Sequence, residues 1–245
     1  MPEHSTWHGG RGGLLGRDRS RRCQFSPPTF ARMQFGDFDH FVASPHYVDT
    51  THFNGWTYTV DGAGTMVQLD RVGGWLQLLA GGGDGNGVNL QQAHETFLPA
   101  ANRDIHFGCR IELDDATQSF FFAGLSITDN DIDAGSLGAD IVGFLKNDGD
   151  ANLDFICQST ASGAVAQTDT GVDLADNTAI ELGFMINGLT SVKTFVNGAL
   201  DNTFAVAAAT DIPITEMALA FSYRTGENVT NSLKIDWYSI VQNYV

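Results

Sequence analysis

The stretch SVKTFVNGALDNTF, residues 191–204, alternates apolar and polar side chains on both sides of an Asn-Gly pair. Alternation with a period of two places one set of side chains on one face of a strand, and Asn-Gly supplies the positive φ angles of a tight hairpin turn. The same pattern precedes it, because residues 180–186 alternate up to Asn187-Gly188. A chain built from such hairpins is predicted to form antiparallel sheets.

Strand-like segments recur along most of the chain. Each is rich in β-branched and aromatic residues, and clusters of Gly, Asn and Asp separate them at short intervals, whereas helix signals are nearly absent. With 245 residues and 42% hydrophobic content, the chain is long enough for one domain with a substantial core. The fold class predicted is all-β, a single antiparallel β-sandwich. The segments are 56–61, 65–70, 74–80, 103–114, 118–128, 139–146, 151–158, 178–187, 191–197, 213–224 and 231–242.

Two regions differ in composition and charge. Residues 1–32 are rich in Gly, Arg and Ser and are predicted to form an irregular arm, and residues 33–245 form the sandwich domain. The arm has a net charge of +4, so the domain carries −20 of the total of −16. Its expected partner-binding charges are Arg11, Arg17, Arg19, Arg21 and Arg22.

The acidic domain excludes some classes of partner. Nucleic-acid affinity comes mainly from cations that displace counterions, so nucleic-acid binding is not expected. No apolar run approaches the roughly 20 residues that span a bilayer, and the N-terminus lacks the apolar segment of a secretory signal. We therefore expect that the protein is made in a cytoplasm and does not associate with a membrane.

Two strand assignments carry detailed expectations. Cys109 lies on the apolar side of DIHFGCRIEL and is predicted, like Cys23 and Cys157, to be a free thiol. In SLKIDWYSIVQNYV, strict alternation places Trp237 with Leu233 and Ile235 on one face, and Asp236 with Tyr238 on the other.

The strand SFFFAGLSI is apolar on both faces, through Phe120, Phe121 and Phe122. Such a strand needs cover on both sides. The favoured interpretation is a central strand beneath a long loop, and the alternative is a subunit interface that forms a homo-oligomer, expected to be a trimer.

Four stretches together resemble a family of tailed-phage virion proteins. They are GGWLQLLAGGGDGNGVNLQQAHETFLP, IHFGCRIELDDATQSFFFAGLSI, ELGFMINGLTSVKTFVNGAL and LKIDWYSIVQNYV, and the family's opening segment is matched by MQFGDFDHF. The resemblance spans about residues 33–245 and implies a concanavalin A-like, laminin-G-like jelly roll. It also implies a structural role as a cement protein that decorates the capsid exterior and contacts the major capsid protein. The arm departs from the family pattern, as an adaptation or because the start codon is placed too early.

The same architecture also carries glycosidases. Jelly-roll glucanases use an E-x-D-x-x-E strand, which places a nucleophile and a general acid on one face. The nearest match, ELDDAT, has Glu112 and Asp114 on one face but Thr117 in place of the third acid. Two solvated carboxylates are the ordinary explanation, and we expect no enzyme activity.

Calcium binding and carbohydrate binding are the remaining alternatives. Asp129, Asp131, Asp133 and Asp140 echo the spacing of a calcium loop, but the glycine and the bidentate glutamate of such loops are missing, so an acidic surface loop without cofactor is favoured. A lectin-like module of a phage fibre or adhesion protein is the alternative function. Its aromatic candidates are Trp56, Trp75 and Tyr223, and alternation favours packing for most of them.

Overall fold

The computed structural model describes residues 33–40, 55–72, 74–129, 132, 137, 140–160, 165–205 and 211–243. Fifteen strands account for most of this part of the chain. They are β1 (Met33–His40), β2 (Trp56–Asp61), β3 (Gly64–Leu69), β4 (Trp75–Ala80), β5 (Gly87–Gln92), β6 (Ile105–Leu113), β7 (Ser119–Ser126), β8 (Ile141–Lys146), β9 (Asn152–Gln158), β10 (Val165–Asp173), β11 (Ile180–Asn187), β12 (Ser191–Val196), β13 (Ala199–Ala205), β14 (Ala218–Thr225) and β15 (Ser232–Asn243).

The strands form two antiparallel sheets packed face to face. Sheet I has the order β13-β12-β11-β6-β15-β4-β3, and β1 pairs with the second half of β15. Sheet II has the order β10-β9-β8-β7-β14-β5-β2. The predicted all-β antiparallel sandwich is confirmed. Within the described residues no helix is long and apolar enough to cross a bilayer.

The core lies between the two sheets and follows the alternation of the sequence. On β6, Phe107, Cys109 and Ile111 face it, and on β11 it receives Leu182 and Phe184. Cys109 and Cys157 are both buried free thiols, as expected. The hairpin that joins β12 to β13 is also confirmed, because Asn197 and Gly198 have φ angles of 49° and 77°.

All eleven predicted segments overlap strands, and β13 is the second strand of the hairpin predicted at residues 191–204, but β1, β5 and β10 were not predicted. β5 follows a Gly- and Asn-rich run and carries polar residues on its outer face. Asn89 and Gln91 there are buried, and their side chains donate to the carbonyl oxygens of Asp129 and Ile127. A strand whose polar side chains are buried under a loop resembles a turn in sequence. The hydrophobic pattern distinguishes apolar from polar residues, and it does not show that a polar side chain is buried and hydrogen-bonded.

The face assignment of β15 was right for Asp236 and wrong for Trp237 and Tyr238. A β-bulge between Ile235 and Trp237 inserts one extra residue opposite β6. Tyr238 therefore enters the core, with ring centroids 5.7 Å from Trp56 and 6.0 Å from Phe221. Trp237 pairs instead with Arg110, so both Asp236 and Trp237 lie on the outer face of sheet I.

The rings of Phe120, Phe121 and Phe122 are all packed within the chain. Phe121 belongs to the main core, whereas Phe120 and Phe122 lie on the outer face of sheet II in a second cluster. Ile132, from the segment between β7 and β8, is fully buried against that cluster. A Cβ at Gly143 would lie 2.8 Å from the ring of Phe122, so glycine makes room for it. These contacts match the central strand beneath a loop, and the homo-oligomer stays a prediction.

Candidate functional site

The bulge in β15 creates a group of polar and aromatic side chains on the outer face of sheet I. We call this group, Trp75, Arg110, Asp236 and Trp237, the bulge site. Asp236 lies where β4 stops pairing with β15, at Ile235, and β1 starts, at Trp237. Regular alternation would turn Asp236 and Trp237 to opposite faces, so the bulge alone brings them together.

Arg110 ties the bulge site together. Its Nη1 donates to Oδ2 of Asp236 at 2.6 Å, and its guanidinium carbon lies 5.2 Å from the ring centroid of Trp75. Arg71, from the β3–β4 turn, lies over the same indole at 4.2 Å. Two guanidinium groups thus cover Trp75, which is 3% exposed.

An ion-pair network continues from Arg71 along the same face. Arg71 binds Glu112 through both terminal nitrogens, at 3.2 and 3.0 Å. Nζ of Lys234 lies 2.9 Å from Oε1 of Glu112 and 2.5 Å from Oδ1 of Asp114. Burial alone would raise the pKa of Glu112, but hydrogen bonds from Arg71 and Lys234 lower it overall. The same carboxylates raise the pKa of Lys234 against the effect of its burial.

Two atoms of the bulge site are buried without a hydrogen-bond partner. They are Oδ1 of Asp236 and Nε1 of Trp237. Nδ1 of His106, on the same face of β6, is also unpaired, and burial lowers the pKa of this imidazole despite the charge of Asp104. A buried polar atom without a partner costs about 1–3 kcal/mol of folding free energy. A group of such atoms therefore marks a candidate functional site.

The structure corrects the interpretation of Glu112 and Asp114. Both carboxylates do lie on one face, since both contact Lys234. The expectation that they are solvated is wrong for Glu112, which is 5% exposed and held by two cations. The Asp114 carboxylate also accepts from Ser232.

The three aromatic lectin candidates are packing residues. Tyr223 is fully buried in the core, Trp56 packs edge-on against Tyr238, and Trp75 lies beneath the arginines. Trp237 was missed because strict alternation assigned it to the core. The run Ile-Asp-Trp-Tyr contained the available signal, since two adjacent aromatics after a regular alternation cannot both keep its period.

The calcium candidates do not form a metal site among the described residues. Asp131 and Asp133 lie outside them. The Asp140 carboxylate accepts from the backbone and hydroxyl of Thr160 and from the hydroxyl of Thr215, so its oxygens serve the fold. The described part of the chain contains no group of three or more potential metal ligands. The arm arginines, Arg11, Arg17, Arg19, Arg21 and Arg22, also lie outside it.

Comparison with known proteins supports the fold and leaves the family open. No model of a known protein family matches the sequence, and no curated protein does. A solved protein of unknown function from Shewanella oneidensis MR-1 is similar, with 11% identity and a TM-score of 0.58, over 85% of this chain and 86% of that one. An endo-1,3-β-glucanase from Streptomyces sioyaensis has 10% identity and a TM-score of 0.57, over 87% of this chain and 96% of its own.

A third similar structure belongs to a binding protein. Botulinum neurotoxin type C, whose cell entry depends on two ganglioside molecules, has 12% identity and a TM-score of 0.53. The similarity covers 76% of this chain and 43% of that one. Identities this low show a shared jelly-roll sandwich and nothing finer. The sandwich is thus one that both enzymes and binding domains use.

Proposed function

We propose that this protein is a carbohydrate-binding module without glycosidase activity, and that the outer face of sheet I around the bulge site is its binding surface. The observation that carries the proposal is the bulge itself. It turns a carboxylate and an indole to one face and leaves Oδ1 of Asp236 and Nε1 of Trp237 without partners.

The chemistry of these two atoms suits a sugar. A hydroxyl group both donates and accepts, so sugar hydroxyls can donate to Oδ1 of Asp236 and accept from the indole N–H of Trp237. Both atoms are buried, so binding requires the side chains that cover them to move aside. Arg110 holds Asp236 in place through Oδ2, which leaves Oδ1 as the acceptor. Ligand sites commonly combine apolar walls with a few placed polar groups, as the indole of Trp237 and the carboxylate of Asp236 do here.

The neighbouring carboxylates argue against hydrolysis. A glycosidase needs one carboxyl group that stays protonated near neutral pH as the general acid. The pKa of Glu112 is lowered, and Asp114 is occupied by Lys234 and Ser232. Both groups therefore serve the surface network and not proton transfer.

Binding can be tested by calorimetry with a soluble β-1,3-glucan oligosaccharide and with a ganglioside oligosaccharide. Trp237→Phe removes the N–H donor and shortens the ring, and we expect loss of the donor to weaken binding about tenfold, the effect of one hydrogen bond of about 1.4 kcal/mol. Trp56→Phe, in sheet II, is the matched control and should bind as the natural protein does. Absence of binding to both sugars, or equal affinities for the two variants, would overturn the proposal.

Capsid decoration stays a separate proposal. Its support is the sequence resemblance over residues 33–245 and an acidic domain of −20, which suits a protein displayed at high local density on a virion. A density map of a virion, or a gene position beside a major capsid gene, would test it. A position beside tail-fibre genes would instead agree with the carbohydrate proposal.

A further inference from the structure

Lys146 places its amine inside one end of the sandwich. It is the last residue of β8 and continues the inward-facing positions of Val142 and Phe144. The residue is fully buried, although lysine is almost never buried without a partner. A side chain of this kind needs a set of acceptors close to its nitrogen.

Four oxygen atoms surround the ammonium group. Nζ donates to the carbonyl oxygens of Thr117 at 3.1 Å and Asn147 at 3.0 Å, and also to that of Ser119. The hydroxyl oxygen of Ser119 lies 3.3 Å away. We call these four oxygens the carbonyl cage. They come from the β6–β7 and β8–β9 connections and the first residue of β7, so the amine joins two loops.

The loops around the cage are also joined to each other. The backbone N–H of Gly149 donates to Thr117 at 2.9 Å, and that of Gly226 donates to Gln118 at 2.9 Å. A Cβ at Gly226 would lie 1.8 Å from Oδ1 of Asp148, so this carboxylate sits directly over the glycine backbone. The cage is therefore a built part of the fold.

Acidic side chains surround the same end. Burial lowers the pKa of Lys146 to about 8, while the charges of Asp115, Asp148 and Asp150 act in the opposite direction. Carbonyl, hydroxyl and carboxylate oxygens are the ligands that hard cations prefer. The ammonium is the cation that meets this need in the natural chain.

We infer that the carbonyl cage is a cation site which the chain fills with its own lysine, and that removal of the amine opens it to a hard divalent ion such as Ca²⁺. The lysine ties the β6–β7 and β8–β9 loops together as a bound ion would. The natural protein accordingly needs no metal at this end. This inference is independent of the bulge site, which lies on the outer face of sheet I.

Two substitutions separate an emptied cage from a filled one. Lys146→Ala removes the amine and leaves space, whereas Lys146→Met fills the same space with an apolar side chain. Both leave carbonyl oxygens without a donor, so we expect both unfolding midpoints to fall by roughly 5–15 °C. Added CaCl₂ should then raise the midpoint of Lys146→Ala saturably by several degrees, because a ligand that binds only the folded state stabilises it.

The natural protein and Lys146→Met are the controls, and neither should show the saturable rise. Asp148→Asn in the Lys146→Ala background should weaken the calcium effect, and NaCl at matched ionic strength controls for screening. If Lys146→Ala does not fold without metal, its refolding yield with and without CaCl₂ replaces the midpoint. Equal responses of Lys146→Ala and Lys146→Met to calcium, or no response of either, would refute the inference.

Discussion

Two buried ionisable side chains of this protein, Glu112 and Lys146, have different surroundings. Glu112 lies between the cations Arg71 and Lys234, so its ionised form gains hydrogen bonds that offset its desolvation. Among the described residues, Lys146 has only neutral oxygens within hydrogen-bond distance, and the carboxylates of Asp148 and Asp115 act from farther away. The first arrangement favours the charged form, and the second disfavours it.

Lys146 should therefore make stability depend on alkaline pH. Its pKa is about 8 in the folded chain and 10.5 ordinarily, so between these values the unfolded chain binds more protons and the free energy of unfolding rises with pH. Denaturant titrations of the natural protein and Lys146→Met from pH 7 to pH 10 should show the natural protein gaining about 2–3 kcal/mol on the variant. Other titrating groups are common to both proteins. A difference that stays constant over this range would contradict the pKa.

At the scale of elements, the bulge site depends on strand β15. Its first part pairs with β4 and its second with β1, and β6 runs along its other side. The extra residue falls at the change of partner, where the ladder on one side is already interrupted. A bulge there disturbs few hydrogen bonds, and it turns Trp237 outward and Tyr238 inward.

Deletion of Asp236 should leave the fold intact. Without it, Ile235 still pairs with Ile111 and Trp237 with Arg110, so each remaining residue keeps its face. The expected loss is a few kcal/mol at most, from the Arg110 ion pair, together with sugar binding. Deletion of Ser239 is the matched control, because it shifts the register of the regular ladder and turns Ile240 outward. Circular dichroism and thermal melts should show folded protein for the first deletion and unfolded protein for the second.

At the scale of the whole molecule, the basic arm and the acidic domain have opposite net charges. The arm carries +4 and the domain −20, so copies of the domain repel one another while an arm attracts a neighbouring domain. Attraction between exposed charges is screened beyond about 8 Å at physiological ionic strength. The arm should therefore matter most in dilute salt.

Light scattering can measure this attraction without any partner protein. A chain that begins at Met33 should show stronger repulsion between molecules than the full chain in about 20 mM salt, and the difference should vanish near 0.5 M NaCl. Replacement of Arg11, Arg17, Arg19, Arg21 and Arg22 by glutamine should reproduce the truncation. Identical second virial coefficients for all three proteins in dilute salt would exclude an electrostatic role for the arm.

The sequence by itself determined the fold class, most of the strands and the core of β6 and β11. Local alternation and turn residues specify these features, because a strand buried on one face records its environment in every second residue. The adjacent residues Asn197 and Gly198 likewise specify one hairpin turn through their sequence alone.

Only the tertiary structure decided the rest. The polar strand β5 became recognisable through the loop residues that cover it, and Phe122 proved to pack on Gly143 beneath Ile132. The pairing of Lys146 with carbonyls from two loops depends on contacts between residues far apart in sequence. The bulge was decided where β15 changes partner from β4 to β1, a property of three neighbouring strands together. One extra residue there reversed the faces of Trp237 and Tyr238, because side chains in a strand repeat with a period of two.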